Sequence, residues 1–268
     1  RDPALQARAL ANFAQMDISN LRLAEVTQKA TEAIDLAKTA QDNYTERFAL
    51  NQAGFSVLVH GDPVRAQMFQ DALLEFEERL RISLLQWQGH HLQQSICQFT
   101  GDWEKARKAI DCALGISGSD FFSLHNLAIL AYETGAIDTC GAALEKMISD
   151  VKQAGHRAGD SWKAIVCVAI AKTAGSSSKS DYLAVGERMA KAILASPTHQ
   201  PKTSLHAKLG LLLIALNRGD TDLMEELGPE NDDMEATWMT PWGNVSTDRL
   251  FGLRARALGF STVAESFF

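Results

Sequence analysis

The stretch Phe99-Thr100-Gly101-Asp102-Trp103-Glu104-Lys105-Ala106 reads as a joint between two helices, and the chain repeats it. Gly101 can end one helix, because only glycine enters the left-handed C′ conformation without a Cβ penalty. Asp102 can then cap the next helix by accepting from backbone N–H groups at its N-terminus. Ala106 lies one turn further in, where a small side chain lets two helices approach closely. Gly61-Asp62 and Gly219-Asp220 repeat the joint, and Gly135, Gly175 and Gly259 repeat its glycine after an apolar run. From Gly61 the intervals are 40, 34, 40, 44 and 40 residues. Five residues after these glycines stand Ala66, Ala106, Cys140, Ser180, Met224 and Ala264, all small but Met224. Gly54, Ala128 and Gly252 each lie seven residues before a joint glycine, a second small position in phase. Phased punctuation of this kind predicts an array of helical hairpins.

Composition supports an all-α chain. Ala and Leu abound, proline is limited to six, and no sustained alternation of β-branched and polar residues reads as a strand. The 268 residues form a single expected domain, 1–268, because a repeat array escapes the usual size limit of a compact core. The net charge of −7 argues against a nucleic-acid surface, which needs clustered Lys and Arg. The densest basic groups, Lys105-Ala106-Arg107-Lys108 and Arg249…Arg254-Ala255-Arg256, fit solvated helix faces. Cys97, Cys112, Cys140 and Cys167 make no CxxC pair and read as small core residues of a reducing, cytoplasmic setting. The longest apolar runs, 164–171 and 209–216, fall well short of the roughly 20 residues of a membrane span. A start at Arg1-Asp2-Pro3 and an end inside a helical pattern suggest a segment of a longer protein.

Along the chain, Asp2-Pro3 opens a first helix to about Met16, and a second runs from near Asn20 to Ala40. Asn43-Tyr44-Thr45-Glu46 reads as a capping box for the third, which ends at Gly61. The fourth starts at Asp62-Pro63 with Met68, Phe69, Ala72, Leu73 and Phe76 on its apolar side. Ser83 is a candidate cap for the helix before Gly101. Helices are expected from Asp120 to Thr134, from about Ile137 to Gln153, and over Trp162–Ala174. Ser176-Ser177-Ser178-Lys179-Ser180 is expected to be a mobile turn. Pro201 begins a Leu-rich helix to Asn217, and a short helix follows from about Thr221 to Leu227. The stretch 228–245 breaks the rhythm as an irregular loop. It is either a partner-binding lid or, as we favour, a cover whose tryptophans lie on the short helix before it.

Gly101-Asp102-Trp103-Glu104-Lys105-Ala106…Ile110…Ala113 resembles the second helix of a tetratricopeptide repeat. Gly54…Gly61-Asp62…Ala66 and Gly252…Gly259…Ala264 resemble the same motif. The repeats here are mostly longer than 34 residues and lack the proline after the second helix. They look like the degenerate repeats in C-terminal regions of bacterial class III nucleotide cyclases fused to ATPase modules and of LuxR-type activators with a central STAND-like ATPase. The resemblance implies a right-handed α-α superhelix of about six or seven hairpins whose first helices line a concave groove. By phase, the groove residues would be Asn51, Phe55, His91, Gln98, His125, Tyr132, Trp162, Lys172, Leu209, Arg249 and Arg256. Chaperone-binding members clamp a peptide carboxylate with Lys, Arg and Asn, and His91 and His125 stand where a basic residue would be needed.

Catalytic signals are weak. The seven histidines form neither HExxH nor an i, i+4 pair, and adjacent His90 and His91 would point about 100° apart on a helix. No GxSxG, Walker A or GxGxxG pattern occurs, and Glu77-Glu78 and Asp232-Asp233 read as solvated charge. Trp103, Trp162 and Phe121-Phe122 read as packing residues, with Trp162 phased toward the groove. The expectation is a non-catalytic interaction or regulatory module without metal or cofactor. It would bind a protein or peptide segment, another domain of its parent chain, or itself, and neither nucleic acid nor membrane. The alternative is a small-molecule-sensing solenoid with a pocket near Trp162, His125 and Arg249.

Overall fold

In the computed structural model the described residues are 2–80, 86–117, 121–135, 167, 176–197, 200–228 and 247–267. Among them all regular structure is helical. The helices are α1 (Pro3–Ser19), α2 (Val26–Ala40) after a 3₁₀ turn (Leu23–Glu25), α3 (Asn43–Val59), α4 (Pro63–Leu80), α5 (Gln86–Phe99), α6 (Trp103–Ser117), α7 (Phe121–Thr134), α8 (Ser176–Leu194), α9 (Pro201–Arg218), α10 (Thr221–Glu226), α11 (Thr247–Ala257) and α12 (Ser261–Ser266). Two compact units divide the chain, Arg1–Ser123 and Leu124–Phe268.

The joints are built as their residues dictate. Gly61, Gly101, Gly135, Gly219 and Gly259 all have positive φ, between 69° and 84°. A Cβ added at Gly101, Gly135, Gly219 or Gly259 would meet nothing within 4 Å, so conformation and not space selects glycine there. After four of these glycines the next backbone N–H reaches back five residues. Asp62 donates to Val57 O at 3.0 Å, Asp102 to Cys97 O at 2.8 Å, Asp220 to Ala215 O at 3.0 Å and Phe260 to Ala255 O at 2.8 Å. This bond satisfies one carbonyl that the ending helix would leave unpaired. The aspartates then cap the next helix: Arg65 N donates to Asp62, Lys105 N to Asp102 and Leu223 N to Asp220.

Two joints use the same backbone without glycine. Leu21 has φ 58° and Gln41 φ 56°, and the bonds Arg22 N to Asp17 O and Asp42 N to Ala37 O complete them. At the first, buried Asp17 takes hydrogen bonds from Arg22 at 2.9 Å and Lys29 at 2.6 Å. Burial raises its carboxyl, but those bonds outweigh it and hold Asp17 below the usual carboxylate range. Gln41 is exposed, so its left-handed backbone is a local cost that glycine would relieve. Gln41→Gly is expected to stabilise the N-terminal unit by about 0.5–1 kcal/mol in urea titration.

Packing in the N-terminal unit is serial. Each helix from α1 to α6 packs on the next in the chain, and α1 also meets α3, and α3 meets α5. So α1, α3 and α5 form one layer, and α2, α4 and α6 pack against it. α3 is buried almost from end to end, Thr45 through Val59 except Phe48, because it has neighbours on both sides. Gly54 marks its closest approach: a Cβ there would lie 2.4 Å from Leu92 Cδ2 and 3.3 Å from Phe69 Cβ. In the C-terminal unit, α8 packs on α9 through Ala190, Ala207 and Leu211, and α9 meets α10 and α11. Buried Arg254 of α11 donates to Met224 O at 2.5 Å and Glu225 O at 3.3 Å, closing carbonyls near the end of α10.

Several expectations are corrected. The cap of α3 is Asp42, accepting from Thr45 N at 3.3 Å, one residue earlier than expected. The second helix begins at Val26 and not near Asn20, since the Asp17–Arg22 joint and the 3₁₀ turn occupy the interval. Ser176–Ser180 is the start of α8 and no turn; it contains no glycine or proline, and serine suits a first helical turn. Met68 is exposed, because the inward face of α4 runs through Ala66, Gln70, Leu73, Phe76 and Glu77. Glu77 and Arg254 are buried, contrary to the solvated-charge reading, because each found a specific partner. Cys112 is exposed, while Cys97 and Cys167 are buried as expected. Ser83, Cys140, Gly175, the helix expected at 137–153, that expected at 162–174 apart from Cys167, and nearly all of the 228–245 loop lie outside the described residues.

Candidate interaction site

Four of the groove candidates belong to the N-terminal unit, and the fold encloses them. Asn51 and Phe55 on α3 and His91 and Gln98 on α5 are all buried. The first-helix layer there forms a polar belt: His91 Nε2 lies 3.0 Å from Ser123 Oγ, and Ser95 Oγ donates to His91 O at 2.8 Å. Gln94 donates to Gln98 Oε1 at 2.5 Å, whereas Gln98 Nε2 has no protein partner. His90, which precedes His91 in the sequence, is pushed below its ordinary value by burial and by that neighbour. In the C-terminal unit, His125 and Leu209 are buried, Arg249 pairs with Glu133, and Arg256 is exposed. The side chain of Tyr132, and Trp162 and Lys172 altogether, lie outside the described residues. The expected open wall is thus closed at Asn51, Phe55, His91, Gln98, His125 and Leu209. Buried positions cannot meet a partner without rearrangement, so these residues specify the interior.

Beside the belt sits an ion pair that sequence reading missed. Arg47 Nε donates to Glu77 Oε1 at 3.1 Å, with side-chain exposures of 4% and 2%. Burial lifts the Glu77 carboxyl above its ordinary range, and Arg47 draws it part of the way back. Burial likewise lowers the Arg47 guanidinium, opposed by Glu77. A Cβ on Gly89 would stand 3.0 Å from Glu77 Oε2, so α5 closes over the carboxylate with a bare backbone. No sequence signal separates Arg47 from a surface arginine; the only trace was its spacing four residues before Asn51.

The open recess lies elsewhere, between α4, α5 and the start of α6, with a volume of about 500 Å³. Exposed Val64 and Met68, one turn apart on α4, form an apolar wall, and buried Ile96 and Cys97 form the floor. Gln67 bonds Asp71 at 2.8 Å on one rim, and Gln93 bonds Cys97 Sγ at 3.3 Å. On the other rim Lys105 pairs with Asp102 at 2.8 Å, and its hydrogen bonds hold that carboxylate below its ordinary value. The rim acids are thus bonded within the protein. A second recess of about 450 Å³ is lined by Lys38, Gln41, Asn43, Glu46 and Arg79. Among the described residues no three His, Cys, Asp or Glu side chains are placed to hold a metal ion, and no helix is long and apolar enough to cross a membrane.

Among the described residues a strongly shifted base is Lys202, half-buried in the first turn of α9, where burial pushes its ammonium down to about 8. Between that value and the ordinary 10.5 the unfolded chain holds a proton the native state lacks, so stability contributed by this group rises with pH in that window. A ¹³Cε NMR titration is expected to show Lys202 titrating near 8, and Lys202→Met is expected to remove the slope.

No protein-family model matches the chain, and no curated protein is similar to it in sequence.

Proposed function

We propose that the chain is a tetratricopeptide-like array serving as a non-catalytic interaction and regulatory scaffold, part of a larger bacterial signalling or transcription regulator. Its partner is a protein segment, or another domain of the parent chain. The observation that carries this reading is serial packing in α1 to α6. Each helix rests on its chain neighbours, which is how the units of a repeat array pack. The α4–α6 recess offers such a segment an apolar centre between polar rims, the usual anatomy of a recognition surface. Rigid helices hold Val64 and Met68 in place, so little ordering cost accompanies binding there.

The experiment is affinity capture with wild type and a Val64→Glu, Met68→Glu double variant, with circular dichroism confirming an unchanged fold. Both side chains are exposed, so the fold is expected to survive. Captured partners are expected to fall about tenfold or more in the variant. Equal recovery would set the recess aside.

A small-molecule sensor is the second reading. Buried Gln70 has no partner for either amide atom, and Gln98 Nε2 has none. Such groups need water or a polar ligand. A thermal-shift screen of polar metabolites in which Gln98→Met abolishes a hit would favour it.

A further inference from the structure

The outward side of α4 changes character along its length. At 100° per residue Val64, Met68, Asp71, Glu75 and Glu78 fall within an arc of about 80°. All five are exposed. Val64 and Met68 are the apolar wall of the α4–α6 recess, and Asp71 stands on its rim. Glu75 and Glu78 carry the same stripe onward, one and two turns further along the helix. One stripe of α4 thus begins apolar and ends acidic.

Charge around the recess is one-sided. On α6 each base has an acid of its own. Lys105 pairs with Asp102 at 2.8 Å, Arg107 with Asp111 at 2.9 Å and Lys108 with Glu104 at 2.9 Å. On α5 the lining residues are Gln93, Ile96, Cys97 and Thr100, which supply neither carboxylate nor amine. On α4 Arg65 lies about 100° from Val64, off the stripe. Arg79 is held 5.1 Å over the Phe76 ring, with Glu46 at 3.9 Å. Asp71 accepts from the uncharged amide of Gln67 at 2.8 Å. Among the described residues no base pairs with Asp71, Glu75 or Glu78. The unbalanced charge beside the apolar wall is therefore negative.

We propose that the recess docks a basic amphipathic helix of another protein. An aliphatic or aromatic side chain seats against Val64 and Met68, and Lys or Arg side chains stand opposite Asp71, Glu75 and Glu78. This rests on the interaction-scaffold reading above and names the chemistry of the partner. Acids at i, i+4 and i+7 on one helix meet bases at the same spacing on a second helix laid along it. Apolar contact holds the segment, while charge sets its register and discriminates against acidic competitors. The same field disfavours nucleic acid and an anionic lipid surface. The basic helix of this chain, α11, is committed elsewhere: Arg249 pairs with Glu133, and buried Arg254 is bonded to the Met224 and Glu225 carbonyls.

The test is selection on the full chain from a displayed library of random peptides of about 15 residues, the length of helix that spans Val64 to Glu78. Enriched peptides are then made synthetically and titrated by fluorescence anisotropy against wild type, Glu75→Gln with Glu78→Gln, and Val64→Glu with Met68→Glu. They are expected to carry an apolar side chain and an excess of Lys and Arg at helical spacing. Both glutamates are exposed, so glutamine there is expected to leave the fold intact. Affinity is expected to fall about fivefold or more in the double glutamine variant. It is expected to fall also between about 0.1 M and about 1 M salt, where the screening length shortens from about 10 Å to about 3 Å, and less steeply in that variant. Failure to enrich any peptide, enriched peptides without an excess of bases, or affinity unchanged by the glutamines would overturn the proposal. Uncharged or acidic peptides that lose binding to Val64→Glu with Met68→Glu would remove this inference alone and leave the scaffold reading standing. Peptides indifferent to both double variants would set the recess aside as well.

Discussion

Replacing Arg47 with methionine is expected to destabilise the N-terminal unit by about 3–5 kcal/mol, measured by urea unfolding at neutral pH. The substitution leaves the Glu77 carboxylate inside the layer between α3, α4 and α5 without its 3.1 Å partner. Glu77 cannot turn to water, because it is buried and α5 passes against it at Gly89. Much of the loss measures a stranded charge and not the worth of the pair. The double variant Arg47→Met, Glu77→Leu is therefore expected to recover to within about 1–2 kcal/mol of wild type. A double variant as unstable as the single one would mean that the pair does more than neutralise itself. The pH dependence has a definite sign. Glu77 is raised above the ordinary 4.5, so between those values the native state binds more protons than the unfolded chain. In that window this carboxyl makes stability increase as pH falls, and Glu77→Gln is expected to abolish that slope.

Gly54→Ala is expected to cost about 1–2 kcal/mol, although alanine ordinarily favours a helix over glycine by about 1 kcal/mol. The added methyl would fall 2.4 Å from Leu92 Cδ2 and 3.3 Å from Phe69 Cβ, and Leu92 is itself fully buried. The enclosed Leu92 side chain has to leave its rotamer, or the helices have to move apart by a few tenths of an ångström. Gly54→Val, with a second methyl and a restricted χ1, is expected to cost about 3 kcal/mol or more. Gly115 supplies the control: it lies in α6, is exposed, and a Cβ there meets nothing within 4 Å. Gly115→Ala is expected to stabilise by about 0.5–1 kcal/mol. Combining Gly54→Ala with Leu92→Ala is expected to cost less than the sum, because the second change removes the atoms that the first one meets. Strict additivity would place the strain elsewhere.

These two sites differ in how far the sequence revealed them. Gly54 stood seven residues before Gly61 in phase with Gly252 and Gly259, and the reading of a small residue at a close crossing applies to its contact with Phe69 and Leu92. Arg47 and Glu77 carried no comparable mark. A charged residue every third or fourth position looks the same on a wet face and inside a stack. The α4 helix shows the consequence: a reading by apolar stripe put Met68 inward, whereas Gln70 and Glu77 point in and Met68 lines the open recess. The burial of Asn51, Phe55, His91, Gln98 and His125 was hidden from the sequence for the same reason. Phase placed Asn51, His91 and Gln98 on the first-helix layer, but could not tell whether that layer was open.

The sequence by itself determined the helical class and the joints. At Gly61, Gly101, Gly219 and Gly259 a left-handed backbone follows from the missing Cβ, and at Asp62, Asp102 and Asp220 a cap follows from a carboxylate three residues before the N–H it accepts from. Those are short-range requirements, decided within one turn of chain. The tertiary structure alone decided which polar side chains were enclosed, where a recess stayed open, and that Leu21 and Gln41 would take a glycine's conformation. Each of those outcomes depends on atoms brought together from separate helices, whose packing energy can override what any local stretch prefers.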